Sequence, residues 1–167
     1  NAYLTFALAP IAGLDATDVA QLQAQFIAQW VEPILLAPAF ELIEQHRRQG
    51  DELLIITATN TVVTKPIAQR LGIKHLLGCE AEVIGGRYTG KAIGVPSFQE
   101  GKVTRLEQWL NTHQISDEGA WFYSDSHNDL PLLERVDRPV AVDPDPTLEG
   151  IASARGWPII SLRGESA

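Results

Sequence analysis

Residues 121–133 read Trp-Phe-Tyr-Ser-Asp-Ser-His-Asn-Asp-Leu-Pro-Leu-Leu, and they decide the fold. An aromatic run with strand character ends in Ser124 and Asp125; Asp129 follows, and then an apolar stretch that reads as a helix from about 129 to 136. A carboxylate at the carboxyl end of a parallel strand lies where open α/β sheets place their ligands. Two carboxylates and the Asn128 amide in one strand-to-helix turn offer hard oxygen donors of the kind Mg²⁺ prefers. For this block alone, the structural alternative is a strand end followed by an acidic helix cap.

Working outward, the same alternation recurs. Leu53-Leu-Ile-Ile-Thr57 is a short continuous apolar run, as expected of a strand buried on both faces of a parallel sheet. Residues 62–71 read as a helix closed by Gly72. Residues 76–95 alternate around Gly85-Gly86, a hairpin signal. A helix follows over 102–113, then the 121–125 strand. Pro139–Asp143 reads as a strand, about 147–155 as a helix and Pro158–Leu162 as a last strand. Upstream, Val19, Leu22, Phe26 and Trp30 recur at helical spacing over 15–30, with Asp15 or Thr17 as the cap and Pro33 as the break. Phe26 and Trp30 are expected in the core of that helical segment. A second helix starts at Pro38 and ends at Gly50, with Arg47 and Arg48 in its last turn. Strands alternating with helices predict a doubly wound α/β sheet. The boundary falls near 31–37, giving a helical subdomain over 1–32 and an α/β core over 33–167.

Composition narrows the function. The chain has 167 residues, 13 basic against 21 acidic, for a net charge of −8. That balance repels phosphate backbones and argues against nucleic acid as a partner. A small phosphorylated substrate then needs local positive charge or a metal. One cysteine, Cys79, cannot form an internal disulfide, and no paired Cys/His spacing indicates zinc. No apolar stretch approaches membrane-spanning length. A cytoplasmic protein is the expectation, and a homodimer is compatible with the sequence.

Two further segments carry chemistry. Thr57 ends an apolar strand and is followed by Ala58-Thr59-Asn60, so a hydroxyl and backbone N–H groups stand together at a turn into a helix. Lys102 opens a helix, where its charge opposes the macrodipole and so calls for a local reason. Taken in order, Thr57, Lys102 and Asp125–Asp129 resemble the second, third and fourth motifs of the haloacid dehalogenase (HAD) superfamily. The similarity is nearest to its subfamily IB, related to phosphoserine phosphatase, and covers residues 53–145. The resemblance implies a Rossmann-like three-layer core with a partial helical cap and a β-hairpin. It also implies Asp125 as a direct Mg²⁺ ligand, with Asp129 at the metal site as orienter of the metal's water shell or of Lys102. Lys102 offsets the charge of nucleophile and phosphoryl group, and Thr57, Ala58 and Asn128 contact the substrate. The implied reaction is hydrolysis of a small phosphomonoester through an aspartyl-phosphate. Where phosphoserine phosphatases carry a glycine-rich continuation, this chain has Thr57-Ala58-Thr59-Asn60, which leaves histidinol phosphate or a lipid-head phosphate open as substrates.

The family's first motif, a central strand ending Asp-x-Asp-x-Thr/Val that supplies the nucleophile, is absent. It is expected before Asn1, in keeping with a chain that starts on Asn1 and has no methionine. Without that strand the middle of the sheet is expected to be open, and the chain alone to fold poorly and be inactive. Asp143-Pro-Asp-Pro-Thr147 matches the missing pattern literally, but Pro144 and Pro146 remove N–H groups that such a loop must donate, so it reads as a turn and helix start. Gly85-Gly-Arg-Tyr-Thr-Gly90-Lys91-Ala92 is one residue short of a P-loop and reads as a hairpin. His127 reads as an incidental loop residue. The rival functions are a degenerate member that binds phosphate or Mg²⁺ without turnover, and a receiver-type signalling domain. The second lacks an acceptor Asp at a suitable strand end. A nicotinamide-binding domain is excluded, since no Gly-x-Gly-x-x-Gly follows a strand.

Overall fold

Apolar runs that are too short for helices and bounded by polar turns become strands in this chain, and the amphipathic segments between them become helices. The structure is a computed structural model that describes residues 2–94 and 97–164. The chain divides into two compact units, Asn1–Ser97 and Phe98–Ala167.

The first unit opens with α1 (Ala2–Leu8) and α2 (Ala16–Phe26). Asp15 caps α2, its carboxylate accepting from the Thr17 and Asp18 amides at 2.9 and 3.0 Å. Beyond Phe26 the helix widens into a π turn over Ile27–Val31, and a short 3₁₀ turn over Glu32–Ile34 carries Pro33. Here the sequence expectation is corrected. Val19 is buried, but Leu22 is 48% and Trp30 68% exposed, so Trp30 is not a core residue. The π turn adds nearly a residue per turn and rotates Trp30 off the stripe, whereas Leu22 lies before it on regular helix.

Pro38 falls in the first turn of α3 (Ala37–Gln49), which ends on Gly50 in the left-handed region at φ 83°. Strand β1 (Leu54–Asn60) pairs in parallel with β2 (His75–Ile84), and β2 runs antiparallel to β3 (Arg87–Ile93). Gly85 and Gly86, at φ 59° and 78°, make the two-residue turn between β2 and β3. Backbone bonds tie residues 13–14 to β3: Gly13 donates to the Tyr88 carbonyl and the Tyr88 amide donates to Leu14.

Helix α4 (Thr61–Arg70) contains Pro66, which cannot donate to the Val62 carbonyl one turn back. The Gln23 side chain donates to that carbonyl instead, at 2.6 Å. A polar group that the sequence strands in mid-helix is thus satisfied from α2.

The second unit runs α5 (Glu100–His113), β4 (Trp121–Ser124), a 3₁₀ turn over His127–Asp129, α6 (Leu130–Leu133), β5 (Arg138–Val142), α7 (Pro146–Arg155) and β6 (Ile159–Ile160). Its three strands are parallel in the order β4-β5-β6. Leu133, Ala141, Leu148 and Ala152 form the buried core, with Phe122, Leu130 and Trp157 packed on it. The helix expected over 129–136 is a single α turn preceded by 3₁₀ geometry.

The α/β class is as the sequence indicates. Among the described residues each sheet has three strands, with β1 at one edge of the first and β4 at one edge of the second. No single helix among them is long and apolar enough to cross a membrane.

Candidate active site

The second unit gathers four of the sequence-predicted residues, Lys102, Asp125, Asn128 and Asp129, at the carboxyl end of β4. Lys102, on the first turn of α5, is buried at 6% exposure, and its Nζ lies 2.5 Å from Asp129 Oδ1. The other oxygen of that carboxylate accepts a 2.7 Å hydrogen bond from Ser124 Oγ, the last residue of β4. Ser124 Oγ in turn accepts from the Ser126 amide. A buried lysine is tolerated only with a counter-charge, and a buried carboxylate only with its oxygens engaged; this network supplies both. The Phe122 ring, 5.9 Å from Nζ, lines the lysine's other side.

Asp125 contrasts with its neighbours. It follows the strand end, is exposed, and its carboxylate makes no hydrogen bond or ion pair among the described residues. Asn128 is half-buried, with its amide nitrogen on Ser126 Oγ at 3.2 Å. The loop Asp125–Asp129 thus presents one free carboxylate above a buried cationic network.

A donor set of this kind fits a cation only in part. Asp129 already serves Lys102 and Ser124. Among the described residues no group of three His, Cys, Asp or Glu side chains gathers in a way that could hold a metal ion. What remains is one hard, unengaged carboxylate, Asp125. Mg²⁺ is commonly held by one or two carboxylates, with waters and phosphate oxygens as the other ligands.

Thr57 and Ala58 belong to the first unit. Regular pairing of β1 stops at Ile56↔Leu77 and resumes at Asn60↔Cys79, so Thr57, Ala58 and Thr59 bulge opposite a single residue, Gly78. Thr57 Oγ1 accepts from the Thr59 amide at 3.1 Å, and the Ala58 carbonyl accepts from Cys79 Sγ. Asn60 caps α4 by accepting from the Val63 amide. The hydroxyl expected to meet a phosphate therefore already holds its own turn.

Sequence reasoning missed one residue of the second unit. Asp145 accepts from both the amide (2.7 Å) and the Nδ1 (2.9 Å) of His127, inside the Asp125–Asp129 loop. With its other oxygen it caps α7 through the Thr147 and Leu148 amides. The His127 amide, followed by that of Leu148, holds its carboxyl down at about 2. The cap was legible from the sequence; the link to His127, 18 residues away, left no local signal.

The second unit thus holds a buried lysine–aspartate pair beneath an unengaged aspartate at the carboxyl end of β4. Residues 2–134 match the profile of the family described as HAD, haloacid dehalogenase-like hydrolase. The chain is 41% identical, over 98% of its length, to a histidinol-phosphatase of Neisseria meningitidis serogroup C, and spans 75% of that protein. It is 31% identical, over 94% of its length, to the phosphoserine phosphatase SerB1 of Mycobacterium tuberculosis, but spans only 51% of it. A protein of unknown function from Bordetella pertussis Tohama I, 42% identical, has the same fold with a TM-score of 0.90 over 95% of this chain and 73% of that one. The chain belongs to the haloacid dehalogenase-like hydrolases, within their phosphatase branch.

Proposed function

We propose that this chain forms most of an Mg²⁺-dependent phosphomonoester hydrolase that works through an aspartyl-phosphate on a small phosphorylated metabolite. The observation that carries the reading is the buried Lys102–Asp129–Ser124 network beneath the unpartnered Asp125. Lys102, held by Asp129, brings fixed positive charge to a transferring phosphoryl group without having to be reorganised during the reaction. Asp125 would hold Mg²⁺, which when bound neutralises phosphate charge. Thr57 Oγ1, the Ala58 backbone and the Asn128 side chain supply the remaining polar contacts to the phosphate. Residues 1–32 are part of a helical cap, and 33–167 form the catalytic core.

Transfer through an aspartyl-phosphate needs a carboxylate nucleophile. Asp143 and Asp145 are the literal match within the chain, and both are engaged in holding local structure. The nucleophile is therefore expected from a segment preceding Asn1. The printed names of the two relatives point to one chemical class. Histidinol phosphate and phosphoserine are both primary alkyl phosphates with an amine on the neighbouring carbon. A substrate of that class is the proposal here, and a cytoplasmic location goes with it.

The test compares the full-length gene product with the 167-residue chain, each assayed on histidinol phosphate and phosphoserine with and without Mg²⁺. Expected are Mg²⁺-dependent phosphate release by the full-length protein, none by the chain alone, and none by full-length Asp125→Asn. A full-length protein that binds Mg²⁺ yet releases no phosphate from either ester would replace this reading with a binding-only member. A wild-type rate in Asp125→Asn would remove Asp125 from the site.

A further inference from the structure

Asp145 makes six hydrogen bonds, one of them the ordinary helical bond from the Glu149 amide to its carbonyl, and touches two elements at once. Its carboxylate accepts from the His127 amide, His127 Nδ1, and the Thr147 and Leu148 amides, while its own amide donates to the Asp125 carbonyl at 2.8 Å. Because the carboxylate can only accept, His127 Nδ1 carries the proton and the ring orientation is fixed. Three of the six bonds end on the loop that holds Asp125, Asn128 and Asp129; the other three belong to the start of α7.

The junction that carries Asp145 is itself firmly built. Asp143 sits at φ 43°, a left-handed conformation that Asp tolerates better than most residues. Its amide donates to the Ile160 carbonyl, and its carboxylate accepts from Ser161 Oγ at 2.6 Å and the Leu162 amide at 3.1 Å. Pro144 and Pro146 stiffen the segment on both sides of Asp145. The side of the Asp125–Asp129 loop away from this junction is anchored by Ser124, Asp129 and Lys102. Asp125 thus has its backbone held on one side by the buried network and on the other by Asp145, while its carboxylate stays unengaged.

We infer that Asp145 is a positioning residue for the Asp125–Asp129 loop, fixing the Asp125 backbone and the His127 ring so that the Asp125 carboxylate is presented to a cation in one arrangement. The inference rests on the proposed phosphatase reading for the identity of the cation. Groups that hold a metal ligand in place without touching the ion typically matter about 10–100-fold in affinity or activity. A residue that merely capped α7 would carry no such factor.

Two substitutions separate the roles. Asn and Ser are both good helix caps, so Asp145→Asn and Asp145→Ser keep α7 capped. The Asn amide that then faces His127 is a donor meeting donors, and the Ser hydroxyl is too short to span both elements. In the full-length protein, both variants should weaken Mg²⁺ binding about 10-fold or more in a calorimetric titration with MgCl₂. Hydrogen exchange should show lost protection at the His127 amide and retained protection at Leu148. Wild-type Mg²⁺ affinity in both variants, or unchanged His127 protection, would overturn the inference and leave Asp145 a helix cap. A wild-type protein that neither binds Mg²⁺ nor hydrolyses either phosphate ester would instead overturn the proposed function and this inference together.

Discussion

Two strand ends in this molecule are built from similar polar residues and do opposite things with them. Over the bulged end of β1 and the start of α4, Thr57, Asn60 and Thr64 all turn back on local backbone: Thr57 takes the Thr59 amide, Asn60 the Val63 amide, and Thr64 donates to the Asn60 carbonyl. These three side chains are neutral, and the three bonds they make stay within four residues. After β4, the hydrogen bonds span the unit, the groups are charged, and one carboxylate is left over. Local neutral capping makes a turn stable and self-contained. A charged network assembled from α5, β4 and the β5–α7 junction makes a turn whose geometry depends on distant residues, and it leaves Asp125 available for chemistry.

The largest effect that would test this contrast comes from Asp129→Asn. The Asn keeps an acceptor for Ser124 Oγ but removes the counter-charge from a buried ammonium. Breaking a buried pair from one side typically costs about 3–5 kcal/mol. In urea unfolding the midpoint should fall accordingly with an unchanged slope. Adding Lys102→Met should recover much of the loss, because no uncompensated charge then remains buried. A cost below about 1 kcal/mol for Asp129→Asn would mean that the pair is solvent-screened like an ordinary surface ion pair, and the contrast would collapse.

Asn60→Ala probes the neutral turn. Loss of an N-cap side chain typically costs about 1 kcal/mol. The change should appear as a modest drop in thermal midpoint with the same Mg²⁺ response as wild type. A loss as large as that of Asp129→Asn would show that the β1 turn, too, is a linchpin and not a local cap.

The difference between the two turns also explains what the sequence made legible. The strand ending at Ser124, the Gly85-Gly86 hairpin, the Asp15 cap and the Gly50 stop all rest on residues a few positions apart, where propensity and turn chemistry act directly. The stop of α6 after Leu133 and the π turn at Ile27–Val31 were not legible, because each is a deviation within a pattern that reads as regular helix. The expectation for Trp30 fails for the same reason: the helical period runs past the point where the backbone abandons it. Of the site, the residues around Asp125 stand in one contiguous block. The approach of Lys102 to Asp129 follows from α5 opening beside β4, which the order of motifs implies. Asp145 has no such cue. Its Pro-flanked segment reads correctly as a turn and helix start, and only the folded chain shows that the same carboxylate also reaches His127.

The smallest effect concerns acid, and it separates the two turns by charge alone. Asp145 has its carboxyl held at about 2, below the ordinary 3.8, first by the His127 amide and then by that of Leu148. A carboxyl depressed in the folded state contributes stability that is fully present above its unfolded value and is lost as the pH falls through the folded one. The window for Asp145 therefore runs from about pH 4 down to about pH 2. Across it, the protection factors of the His127 and Leu148 amides should decline as the carboxylate gains its proton and ceases to accept at both ends. The Val63 amide rests on the Asn60 side chain, which does not titrate, so its protection should stay level until the unit unfolds as a whole. A parallel decline at Val63 and His127, beginning at the same pH, would show one global acid transition in place of two turns with different physics.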